Sequence, residues 1–124
     1  MSTTMTAAER RTLVALACKV AWADGVVEEA ERGYVRRLAQ KFGADAVSAE
    51  EVDHWLTSGA PEAFVESLPE NVGQMFFYEA MNLMESDGEI DDTELRVVSD
   101  IMSRVFARHP ENTPFARMLK KTGS

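Results

Sequence analysis

A single cysteine, Cys18, stands in 124 residues. That excludes an intrachain disulfide framework and a cysteine-rich zinc site, and it fits a reducing compartment. Histidine is almost as scarce. His54 and His109 lie far apart with no His-Glu-x-x-His spacing, so a zinc hydrolase finds no ligand set. No apolar run approaches the roughly 20 residues of a membrane span, and Met1 to Thr6 lacks a basic region followed by an apolar core. A cytoplasmic protein with no direct membrane insertion is expected. Basic charge is also in deficit: 13 Lys and Arg against 21 Asp and Glu leave a net charge of −8. Nucleic acid is therefore a poor partner, because its binding draws on clustered Lys and Arg. There is no phosphate-binding glycine loop and no nucleophile beside a base, so an enzyme is not expected.

What the chain does have is one acidic stretch that occurs twice. Asp24-Gly25-Val26-Val27-Glu28-Glu29-Ala30-Glu31 returns as Asp87-Gly88-Glu89-Ile90-Asp91-Asp92-Thr93-Glu94, an offset of 87 − 24 = 63. Asp, Gly and the final Glu match outright. Downstream, Val35, Leu38, Ala39 and Phe42 fall over Val98, Ile101, Met102 and Val105, the stripe of a core-facing helix. The repeated unit is thus a helix, an acidic turn and a helix. Residues 24–31 hold four acids and residues 85–94 hold six, ten of the chain's 21, so the acid is concentrated rather than spread for solubility.

Taken in order, Thr6-Ala7-Ala8-Glu9 is a capping box opening a helix with Leu13, Leu16, Ala17, Val20 and Ala21 on one face, ending at Asp24-Gly25. A second helix runs from about Glu28 to Phe42, with Gly43 as the left-handed residue after its end. Ser48-Ala49-Glu50-Glu51 opens a third, ended by Gly59, and Pro61 starts a short one carrying Phe64, Val65 and Leu68. From about Glu70 the residues Val72, Met75, Phe76, Phe77, Ala80, Met81, Leu83 and Met84 wrap much of a helix, the mark of a central, buried element. Asp91 or Asp92 caps the next helix, closed by His109-Pro110, and a last short helix begins at Thr113-Pro114 with Phe115 and Leu119. No segment alternates with period two. The expected fold is all-α, a compact bundle of six or seven helices in one domain over residues 1–124 with an ordered core of about 6–120. Cys18, Trp22, Trp55 and the methionines Met75, Met81, Met84, Met102 and Met118 are expected in or against the core.

Asp-Gly is a common way to leave a helix, and an acid in the next helix's first turn suits its positive end. That accounts for Gly25, Gly88, Glu28 and Asp91. It does not account for Asp24 and Asp87, which sit at helix C-termini where the dipole disfavours them by about 0.3 to 1 kcal/mol. A compensating cation would. The strings match the second half of an EF-hand loop, but its first and third positions would fall on Leu83 and Glu85, or on Val20 and Trp22, so a complete calcium loop is absent.

Ala21-Trp22-Ala23-Asp24-Gly25 and Met84-Glu85-Ser86-Asp87-Gly88, at this spacing in a helical chain of this length, resemble the tellurite-resistance TerB-like family, related to the N-terminal domain of the DjlA co-chaperones. The likeness covers about residues 6–120. It implies an internal pseudo-twofold arrangement in which the two turns approach each other and form a divalent-metal site. On this chain that role falls to Asp24, Glu28, Glu31, Asp87, Asp91 and Glu94, with calcium preferred over magnesium. It also implies a stress or tellurite-resistance type response and a protein partner whose identity the sequence leaves open. The competing expectation is a metal-free helical adaptor whose acidic face docks on a basic partner.

Overall fold

Helix α1, Ala7–Ala21, starts at the anticipated capping box: Thr6 Oγ1 accepts the Glu9 N–H at 3.0 Å while Glu9 Oε1 accepts the Thr6 N–H at 2.9 Å. The structure is a computed structural model and describes residues 5–23, 25, 27–43, 45–61, 65–86 and 92–113. After α1 come α2 (Glu29–Phe42), α3 (Ala49–Ser58), α4 (Glu70–Glu85) and α5 (Asp92–Val105), with 3-10 turns at Val65–Ser67 and Pro110–Asn112. Among the described residues the architecture is all-α, with five helices and no strand. The second capping box also forms, Ser48 Oγ accepting the Glu51 N–H at 3.2 Å. Gly43 follows α2 with φ 100° and ψ 137°, so its φ is positive as expected but its backbone is extended rather than left-handed helical.

Among the described residues there are five helices where six or seven were expected. Between Pro61 and Pro69 the described residues form only the turn Val65–Ser67. Pro69 pushes the residue before it toward extended backbone, which leaves about two turns at most, too little to offset helix nucleation. The helix anticipated from Thr113-Pro114 lies outside the described residues.

The centre of the bundle also differs from expectation. Helix α1 packs against α2, α3, α4 and α5, whereas α4 presents Asn71, Tyr78 and Asn82 outward. Leu13 to Cys18 are buried without a break. Ala15, Ala17, Cys18 and Ala21 are small enough for neighbouring helices to approach α1 closely, so centrality here follows side-chain size more than hydrophobicity. Leu16, at 1 % exposure, contributes about 2 kcal/mol by its burial.

Helix α1 packs against α2, and α4 against α5. Their starts are separated by 70 − 7 = 63 and 92 − 29 = 63 residues, the offset of the acidic strings. Burial follows: Val35, Leu38, Ala39 and Phe42 are buried, and so are Val98, Ile101, Met102 and Val105.

Candidate functional site

The first acidic turn leaves α1 through a tight exit. Trp22 N–H donates to the Cys18 carbonyl at 3.0 Å, Ala23 N–H to Val20 at 3.1 Å, and Gly25 N–H to Trp22 at 2.8 Å. Gly25 has φ 82°, a conformation that a Cβ would strain. The chain then re-enters helix at α2, whose third residue is Glu31. Glu31 Oε1 accepts the Glu28 N–H at 3.1 Å, the reciprocal half of a capping box. At the exit of α4, Ser86 N–H and Ser86 Oγ both donate to the Leu83 carbonyl, at 3.2 and 2.6 Å. Glu94 is the third residue of α5, as Glu31 is of α2.

Four of the five helices carry glutamate at this third position, and burial divides them. Glu9 of α1 and Glu51 of α3 are half-exposed, Glu51 bound to Arg11 at 2.6 Å. Glu31 and Glu94 are each 1 % exposed, and among the described residues they are the only buried charged side chains. Capping alone does not require burial, as Glu9 shows. The two buried glutamates are those that follow the acidic turns.

Of the other expected ligands, Glu28 is exposed, and Asp24, Asp87 and Asp91 lie outside the described residues. Among the described residues no three His, Cys, Asp or Glu side chains gather into a group able to hold a metal ion. The donors that are described suit a hard cation in kind, since both buried groups are carboxylates. Their burial was visible in the sequence by phase: Glu31 stands four residues before Val35, and Glu94 four before Val98, so both sit on the apolar stripe.

The remaining candidates resolve simply. Cys18 is buried in α1, and burial pushes its thiol up to about 12, leaving a protonated core side chain. His54 and His109 are exposed, Met84 and Met102 are buried, Met75 and Met81 are half-buried, and Met118 lies outside the described residues. Trp55 is buried under Arg11, whose guanidinium carbon stands 4.9 Å from the ring centroid. Trp22 is only half-buried. Its indole N–H donates to the Trp55 carbonyl at 3.0 Å, and with Lys19 it lines a surface cleft that no local motif announces. No described helix is long and apolar enough to cross a membrane.

The family model described as Tellurite resistance protein TerB matches residues 1–54 of the 124. The match spans α1, the first acidic turn, α2 and the start of α3, and the second acidic turn lies beyond it. Over those residues, less than half of the chain, the sequence is similar to that family, and the first of the two acidic strings lies within the match. No curated protein and no solved structure matches the chain.

Proposed function

We propose that this TerB-like chain binds a divalent cation, calcium in preference to magnesium, through its two acidic turns, and passes the bound state to a protein partner. The setting would be a cytoplasmic stress or tellurite-resistance type response. What supports this is the paired burial of Glu31 and Glu94 at the repeat offset, 94 − 31 = 63. Each is the third residue of the helix that follows an acidic string, and carboxylate oxygens beside further acids are the donors a hard cation takes. Asp24, Glu28, Asp87 and Asp91 would complete the oxygen set if a pseudo-twofold relation of the helix pairs brings the turns together. An all-protein cage of many oxygens favours calcium, since magnesium keeps several of its waters.

The test is a calcium titration of chelator-stripped protein followed by the amide resonances of Gly25 and Gly88. Both are expected to shift together and saturate at one affinity, and Asp87→Asn is expected to abolish the response. If neither amide moves at about 1 mM calcium, a range that includes even weak extracellular-type sites, the cation reading fails. The acids would then form a docking face, and partner binding should weaken steeply with salt.

A further inference from the structure

We propose that the cleft between α1, the segment after α3 and the end of α5 binds a small amphipathic carboxylate, an aliphatic or aromatic acid. Its apolar body would lie on Trp22, Ala60 and Pro61 and its head on the Lys19 ammonium. The cleft holds about 570 Å³; Trp22, Ala60 and Pro61 present its apolar surface, and Ala15, Leu16 and Val65 lie buried beneath it. That volume lies within the range of about 300 to 1,000 Å³ typical of small-molecule sites. It is separate from the acidic turns and does not depend on a cation there.

The charge around the cleft selects the head group. Among the described residues Glu66 is the acid that lines it, and Arg104 holds that carboxylate through Nε at 2.9 Å and through a second guanidinium nitrogen. Lys19 is exposed, and among the described residues no acid lies within ion-pair distance of it. In a chain of net charge −8 this leaves an uncommitted cation over an apolar floor. Trp22 has already given its indole N–H to the Trp55 carbonyl, so its ring meets a ligand as an apolar surface. One ammonium matches one carboxylate. A polyphosphate would need more cations or a ring of backbone amides.

Decanoate and decylammonium, which share a chain and differ in the sign of the head, test this directly. Each is titrated into chelator-treated protein while the Trp22 indole and Lys19 amide resonances are followed. Decanoate is expected to shift both saturably, and decylammonium is not. Lys19→Glu, at an exposed position, should weaken decanoate by about tenfold or more, and Lys19→Arg should stay within about threefold of the parent. The proposal is overturned if decanoate gives no shift up to about 1 mM, a limit set by ordinary small-ligand affinities. It is equally overturned if decylammonium binds as well, or if Lys19→Glu retains parental affinity. A helical far-ultraviolet spectrum of the variants confirms that the comparison is between folded proteins.

Discussion

A glutamate that caps a helix ordinarily stays in contact with water, as Glu9 does beside Thr6. Glu31 performs the same service for the Glu28 N–H, yet it stands on the face that also carries Val35, Leu38 and Phe42 and is taken into the interior with them. Glu94 shares that fate with Val98, Ile101 and Val105. Ionised carboxylates in such positions oppose folding unless something balances them, and an isosteric amide removes the charge while keeping an acceptor oxygen. Because the amide keeps one acceptor oxygen, the Glu31→Gln and Glu94→Gln variants are expected to stay folded in chelator, with a Tm lowered by no more than several degrees. They should also lose the rise in Tm that the proposed calcium binding would give the parent through its native state. Scanning calorimetry with and without calcium reads both. A variant that kept the parent's full response to calcium would remove that glutamate from the proposed cation site.

Two contacts between helices fall at positions related by the offset of the acidic strings. Arg10 of α1 reaches the end of α2, donating to the Phe42 carbonyl at 2.5 Å, and Gly73 of α4 meets the end of α5 at Val105. Both positions keep the offset, 73 − 10 = 63 and 105 − 42 = 63. The two halves solve that contact differently. A Cβ on Gly73 would stand 2.5 Å from Val105 Cγ1 and 3.5 Å from Phe106, and the β-branched valine has little freedom to move aside. Gly73→Ala should therefore forgo the gain of about 1 kcal/mol that helix propensity alone would give. It should instead destabilise by about 1 to 3 kcal/mol, measured by urea denaturation. The same change should cost less in a Val105→Ala background, and a stabilising Gly73→Ala would refute the close approach. The helices themselves were open to sequence reading because caps and apolar stripes are local: Thr6 and Ser48 mark their starts, and Gly59 ends α3. Two features were not. The turn at Val65–Ser67 depends on how little chain lies between two prolines, and the centrality of α1 depends on alanines that a hydrophobicity pattern undervalues.

Across the molecule, scarce basic residues tie elements together. Arg10 holds Asp45 beyond α2, Arg11 joins α1 to α3 through Glu51, and Arg36 joins α2 to α3 through Asp53. Lys41 joins α2 to α4 through Glu79, and Arg104 joins α5 to the Val65–Ser67 turn through Glu66. None of these pairs is local in sequence, nor is the cleft, whose Lys19, Val65 and Arg104 come from three separate elements; only the acidic strings and the stripe phase of Glu31 and Glu94 were readable in advance. The ties set the response to acid. Hydrogen bonds from Arg10, Arg11 and Arg104 hold Asp45, Glu51 and Glu66 below the usual carboxylate range. At Glu79 burial pushes the carboxyl up, but the Lys41 ammonium and the Tyr34 hydroxyl outweigh it and the net displacement is downward. For all four groups the folded value is the lower one. Their stabilisation is present above the unfolded carboxylate values near about pH 4 and is lost as pH falls through the folded values. Relief of the repulsion behind a net charge of −8 acts in the opposite direction as the first acids protonate. Stability should therefore hold or rise slightly from neutral pH to about pH 5 and then drop steeply below about pH 4. Tm followed over that interval for the parent and for an Arg11→Gln, Arg104→Gln double variant separates the two effects. The variant is expected to be less stable at neutral pH and to show a shallower acid limb, and an unchanged limb would mean that these exposed pairs contribute nothing measurable to stability.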